Sequence, residues 1–240
     1  MKELEILYRD EHYVAINKPH NLLVHRTQIS EENEHFAVQM LKEQLNNWVT
    51  PCHRLDRKTS GVLLFAFNKE AAAALMKSFE QKEVKKEYLV LVRGFLPDNG
   101  FIDKALAKEN GTLQQAFTNY EALERFELNF EVSRYPQSRY SLAKIVPLTG
   151  RMHQIRRHMA HIRHYVIGDK VHGECKHNKA FEERYDLQTM LLHAGKLEFI
   201  HFQSGQPIVI KADMQPEFEN LINKLRKENL YINDIVTSGF

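Results

Sequence analysis

Six apolar residues in a row, Val62 to Phe67, limit this fold more than any other stretch. A run so short, opened by the turn signal Thr59-Ser60-Gly61, suits a buried strand. Directly before it stands His53-Arg54-Leu55-Asp56-Arg57-Lys58, one acid among three strong cations. Opposite charge nearby favours the ionised carboxylate. Such an acid is poorly suited to general acid work at neutral pH, but suited to nucleophilic or electrostatic work. The same residues would also serve a plain capped turn, with Asp56 paired to Arg54 or Arg57.

Around this strand the pattern is strand-rich with interspersed helices, which implies an α+β class. Glu5 to Tyr8 and Tyr13 to Asn17 read as short strands, and Leu22 to His25 as extended chain after the Lys18-Pro19-His20-Asn21 break. Phe36, Met40 and Leu41 give a helical stripe over 34–45, and a second helix spans 70–79. Val84 to Val92 is a strand. The stretch 94–115, broken by Pro97, Asn99-Gly100 and Asn110-Gly111, reads as loop. Ala116 to Phe126, Leu128 to Ser133 and Tyr140 to Val146 read as an antiparallel meander, 151–163 as a helix, and 168–186 as irregular. A hairpin (191–202 with 207–212) and a helix on Phe218, Leu221, Ile222 and Leu225 follow. Residues 1–240 are expected to form one domain, since no linker or internal repeat interrupts them.

Composition adds a few exclusions. No run approaches the roughly 20 apolar residues of a membrane span, and the acidic, mixed N-terminus is not a signal peptide. Two cysteines, Cys52 and Cys175, give no disulfide framework, which suggests a reducing cytoplasm. The net charge of +2 hides a sharp local asymmetry: 151–164 holds four Arg, four His and no acid. A solvated helix face usually mixes signs. This one, with Thr149-Gly150 before it, reads as a site for phosphate. Met152, Ile155, Met159 and Ile162 should be its core stripe, with Gln154, Arg157 and His161 facing away. The histidines at 158, 161 and 164 fan around the helix, and no ligand-spaced pair accompanies them, so no metal is expected.

Together these pieces resemble the RluA-type pseudouridine synthases over nearly the whole chain. Asn17-Lys18-Pro19 with Leu23-Val24-His25 is similar to the family's N-terminal signature. His53-Arg54-Leu55-Asp56 with Thr59-Ser60-Gly61 resembles its catalytic motif. Lys86-Glu87-Tyr88 with Val92-Arg93-Gly94 resembles its tyrosine strand, and Gly150-Arg151-Met152-His153-Gln154-Ile155-Arg156 with His158 its arginine helix. Asn21, Tyr165 and Phe202 depart from the Gly, Pro and Pro common there. Further stretches are similar to a tRNA-acting subgroup: Val24-His25-Arg26-Thr27, Arg134-Tyr135-Pro136, Asp169-Lys170 with His172-Gly173, and Leu191-Leu192-His193-Ala194.

The resemblance implies a mainly antiparallel mixed sheet, flanking helices and a central RNA-binding cleft, in one catalytic domain over 1–240 with no separate N-terminal RNA-binding domain. It implies isomerisation of a uridine in RNA without a cofactor, on a base flipped out of its stack. The subgroup implies tRNA, at uridine 65 in the T-stem, with large-subunit ribosomal RNA as the alternative. A non-catalytic RNA-binding module would be the reading from another class. Asp56 would be the reactive carboxylate, Arg156 (rather than Arg151) its partner, and Tyr88 the ring stacked on the base. Arg54 would fill the vacated stack. Arg57, Arg151, His153, Arg157 and Arg163 would contact RNA. No membrane partner is expected, and the oligomeric state, although a monomer is expected, is not fixed by sequence.

Overall fold

The computed structural model of the protein describes residues 3–25 and 35–231. Arg26, Thr27 and the acidic stretch 31–34 lie outside them. Elements in chain order are β1 (Ile6–Arg9), β2 (Tyr13–Lys18), α1 (Ala37–Leu45), β3 (Thr50–Pro51), β4 (Ser60–Ala66), α2 (Lys69–Glu80), β5 (Lys85–Arg93), β6 (Asn99–Asp103), β7 (Leu106–Ala107), β8 (Leu113–Gln114), β9 (Phe117–Leu128), β10 (Ser138–Pro147), α3 (Gln154–His161), α4 (Cys175–Tyr185), β11 (Leu192–Ile200), β12 (Pro207–Lys211) and α5 (Pro216–Glu228). The main sheet runs β1-β2-β4-β11-β5-β10-β9-β6, with β12 on β11 and β3 on β4; β7 and β8 form a separate ribbon. Every pairing in it is antiparallel except β4 with β11. The architecture is the α+β, mainly antiparallel one that the motifs imply.

All of β4 is buried, and its alternation shows why the apolar run is unbroken. Val62, Leu64 and Ala66 pack toward α2 with Tyr13, Leu75 and Phe199. Leu63 and Phe65 pack the other way, toward Ala37 and Leu41 of α1. Each such fully buried Leu or Phe stabilises the fold by about 1.5–3 kcal/mol. On the other half of the sheet, α5 and α4 cover the first face through Phe218, Leu221, Ile222, Leu225 and Phe181. Ile155 and Met159 of α3 cover the second. Tyr88 touches both the α1-side and the α3-side clusters, so it stands at the seam between them.

Several local expectations need correction. The stretch 94–115 is not one loop: β6 pairs with β9, and β7 with β8. Asn99-Gly100 opens β6 instead of forming a turn, Asn110-Gly111 turns between β7 and β8, and these strands are too short to show periodicity. The two strands read over 116–133 are one, β9, ending at Leu128. Within 168–186 the polar helix α4 buries only His177 and Phe181, too little apolar face for the pattern to reveal it. The arginine helix begins at Gln154, not Arg151, because His153 has a left-handed backbone, φ 53°.

Candidate active site

Backbone register gathers the site. Across the sheet Gly61 faces Ala194 and Ala194 faces Tyr88. Tyr88 is therefore two strands from Gly61, which lies five residues after Asp56 at the start of β4. Gly61 makes that closeness possible: φ is +106°, and a Cβ there would lie 2.2 Å from the Ala194 carbonyl oxygen. Both the dihedral and the approach need glycine. Ahead of β4 the chain turns through a Thr59 amide to Asp56 carbonyl hydrogen bond of 3.0 Å. Beneath this turn lies Lys18, fully buried. Its ammonium donates to the carbonyls of Pro19, Leu22 and Arg57 at 2.9, 2.9 and 3.1 Å. Burial pulls Lys18 down to about 7, opposed by the charge of Asp56.

The turn opens into a cleft of about 980 Å³ lined by Arg54, Asp56, Lys86, Tyr88, Arg151, His153 and Arg156, among others. Asp56 Oδ2 accepts from Arg156 Nη1 at 3.0 Å and lies 3.8 Å from His153 Nε2. The Arg156 guanidinium is buried and its other edge is occupied. Nε and Nη2 each donate at 2.7 Å to the two oxygens of Asp169. Asp169 is buried too, and its Oδ1 also accepts the amides of Val171 and His172 at 2.9 and 3.1 Å. Burial would raise Asp169 and lower Arg156. Their hydrogen bonds outweigh it, holding Asp169 below and Arg156 above their ordinary values. A bidentate pair of this kind fixes the plane of the guanidinium. Arg156 thereby presents Nη1 to Asp56 at one angle.

The remaining residues divide clearly. Tyr88 is half-buried, and its hydroxyl has no hydrogen-bond partner among the described residues although no polar atom there is both buried and unsatisfied. Burial, and then the charge of Asp56, push its phenol well above the ordinary range. His53 is pushed down to about 3 by burial and by Lys86, so its neutral Nε2 accepts the Leu64 amide at 3.1 Å. Arg54 is exposed at the cleft and makes no ion pair among the described residues. Arg151 is at the rim, donating Nε to the Gln115 carbonyl at 3.1 Å, and so leaves the Asp56 partnership to Arg156.

Other expected RNA contacts are not brought to the cleft wall. Arg157 donates to the Ala107 carbonyl at 3.0 Å and lines a neighbouring hollow of about 390 Å³. Arg163 is exposed just past the helix, with φ 63°, and Arg57 is exposed on the turn. Two expectations for the helix also change. Met152 is exposed rather than core. Gln154 is buried rather than outward, because its amide accepts from Thr149 Oγ1 at 2.7 Å and donates to Phe117 and Thr118. His158 is buried with both ring nitrogens engaged, by Thr118 Oγ1 and the Lys104 carbonyl, each at 2.9 Å. Among the described residues no cluster of three or more His, Cys, Asp or Glu could hold a metal. No described helix is long and apolar enough to cross a membrane. Sequence reasoning assigns no role to Asp169 and His172; their only signal is the Asp169-Lys170 and His172-Gly173 likeness.

Comparison with known proteins places the chain in a family. Residues 12–161 match the family described as RNA pseudouridylate synthase. The tRNA pseudouridine synthase C of Vibrio vulnificus (strain CMCP6) is 41% identical over 92% of this chain and 95% of its own. That of Pasteurella multocida (strain Pm70) is 42% identical over 92% and 95%. Among solved structures, Human RNA Pseudouridylate Synthase Domain Containing 1 superposes with a TM-score of 0.70 at 25% identity, covering 93% of this chain and 95% of that one. With a family match over more than half its length and relatives this similar along nearly all of it, the chain belongs to the RNA pseudouridylate synthases, in the RluA-type branch that its four motifs resemble.

Proposed function

We propose that this enzyme isomerises a uridine of tRNA to pseudouridine, at uridine 65 in the T-stem. Support for the substrate comes from the names of the relatives, which are tRNA pseudouridine synthases along nearly their full length. The observation that carries the chemistry is the Asp56 carboxylate at the cleft, held by an arginine that is itself clamped from behind. A cleft of about 980 Å³ has room for a nucleotide taken out of its stack. Asp56 is the reactive group, acting on the ribose as a nucleophile at C1′ or as a base at C2′. Arg156 orients it. Tyr88, which lines the cleft and whose hydroxyl has no hydrogen-bond partner among the described residues, stacks on the base. Arg54 fills the space that the flipped nucleotide leaves. Arg57, Arg151, Arg157 and Arg163 hold phosphates, which position the RNA without reading its sequence.

The test is Asp56→Asn with tRNA carrying 5-tritiated uridine. The variant binds tRNA with wild-type affinity and releases no tritium; release near the wild-type rate would remove Asp56 from the chemistry. Mapping pseudouridine in cells lacking the gene separates tRNA from ribosomal RNA as the substrate.

A further inference from the structure

His153 stands apart from the other histidines of the arginine segment. It is a non-glycine residue in the left-handed region, at the N-cap of α3, and its side chain caps nothing. Backbone of this kind is held only where the surroundings impose it, and it gathers at functional sites. Here it turns the imidazole into the cleft, with Nε2 toward Asp56 at 3.8 Å. Its other nitrogen, Nδ1, is 2.9 Å from Nε2 of His172, the two rings crossing at 72°. Only one hydrogen fits between two neutral rings. If His153 donated it, a bare Nε2 would face the Asp56 carboxylate; if His172 donates it, Nε2–H faces Asp56 instead. Electrostatics select the second arrangement. His172 is itself half-buried, and its Nδ1 has no hydrogen-bond partner among the described residues. The Asp169 carboxylate that clamps Arg156 also holds the His172 amide.

We infer that His153 and His172 form a two-imidazole proton relay between the catalytic cleft and solvent. The inference rests on the isomerase reading above. When the C1′–N1 bond breaks, its electron pair goes to N1 of the uracil. His153 gives that nitrogen its Nε2 proton, His172 passes its own Nε2 proton to His153 Nδ1, and water protonates His172 Nδ1. C5 then bonds to C1′ with the electron pair of the C5–C6 double bond. The C5–H pair restores that double bond. The Tyr88 oxygen takes the departing proton while its own hydroxyl proton moves to the now bare Nε2 of His153. The chain runs backwards, and His172 releases a proton to water. One proton enters from solvent, one leaves, and both rings end as they began. A phenol held neutral by burial needs such a partner, since it cannot take a proton without giving one up.

The relay requires both rings neutral in the free enzyme. Burial lowers each of them first. Asp56 and Asp169 oppose this at His153, while Arg156 and Arg157 reinforce it; at His172 Asp169 opposes, and Arg156, His153 and Arg157 reinforce.

Two variants and one spectroscopic measurement test the relay. His153→Asn keeps a residue that tolerates the left-handed backbone, and His172→Gln leaves the His153 ring in place. Each should lower kcat for tritium release about 100-fold, the scale of proton transfer by a positioned side chain, with KM for tRNA within about threefold. In His172→Gln the acid limb of the kcat profile should also move. Nitrogen-15 spectra of the free wild-type protein should show His153 protonated at Nε2 and bare at Nδ1. A kcat within twofold of wild type, or a change in KM alone, would overturn the relay and leave His153 as a phosphate contact. A His153 protonated at Nδ1 would overturn it regardless of substrate. Wild-type enzyme inactive on tRNA would instead refute the tRNA reading, and the tautomer would still decide the relay.

Discussion

Replacing Asp169 by Asn would remove one charge and one acceptor from the most buried ion pair of the site. In the wild type, Arg156 Nε and Nη2 each meet an Asp169 oxygen at 2.7 Å, and both side chains are buried. An asparagine that keeps its oxygen toward Nη2 and the amides of Val171 and His172 must turn its own NH₂ toward Arg156 Nε. Two donors then face each other. Losing a hydrogen bond to a charged group costs about 1.5–3 kcal/mol, and breaking a buried pair outright costs about 3–5 kcal/mol. Asp56 still balances part of the guanidinium charge, so a loss of about 3 kcal/mol is expected. At about 2–4 °C per kcal/mol for a chain of this size, Tm falls by roughly 6–12 °C. Activity falls further than stability, because a reacting group displaced by about 1 Å can cost about 100-fold in rate. The assay is thermal unfolding beside tritium release measured well below the variant's Tm. The pH dependence gives an independent sign. A carboxyl held below its ordinary 3.8 contributes stability present above that value and lost as pH falls through the folded pKa. The gap between wild type and variant should therefore narrow in acid below about 3.8. A Tm within 2 °C of wild type, with unchanged kcat, would refute the claim that Asp169 sets the Arg156 guanidinium.

Three further substitutions probe the frame around it. Gly61→Ala should fail to accumulate as folded protein, or lose much of its Tm, because the new Cβ would meet the Ala194 carbonyl at 2.2 Å at φ +106°; near-native melting would show that the β4–β11 register is not needed. Tyr88→Phe should bind tRNA normally while losing about 100-fold in kcat, whereas Tyr88→Leu should lose tRNA affinity as well. Equal activity of Tyr88→Phe and wild type would confine Tyr88 to stacking. Lys18 has its pKa lowered from 10.5 to about 7, so the unfolded chain holds more protons between those values and stability rises with pH across that window. Lys18→Met should flatten that slope in urea melts from pH 7 to 10; an unchanged slope would assign it to another group.

What can be read from sequence follows the range of the forces involved. Val62 to Phe67 announces a buried strand, and its cover on both faces explains why no polar position interrupts the run, while Phe218, Leu221, Ile222 and Leu225 announce α5 through one helical stripe. Weak patterns fail where burial is slight. The helix α4 buries two side chains, and β6 to β8 are strands of five residues or fewer. The site shows the same division. Asp56, Tyr88, Arg156 and Arg54, the residues proposed to act, line one cleft, and each sits in a motif with local character. Met152 and Gln154 change sides because the helix does not run unbroken from Arg151; the left-handed backbone of His153 interrupts it.

Asp169 illustrates the deeper reason that part of the site stays hidden. An acid in a polar, irregular stretch carries no periodic signal, and its partner is 13 residues away, beyond one helix turn. Only the fold brings the loop before α4 under α3, and only there does the carboxylate become costly to leave unpaired. The same placement puts the His172 amide on Asp169 and the His172 ring on His153. A single buried acid thus orients the arginine that faces Asp56 and ties down the backbone that carries His172. Its removal should therefore disturb two signals at once, the stability of the Arg156 contact and the tautomer of His153. A mutation confined to Arg156 would leave the second signal with its Asp169 support intact.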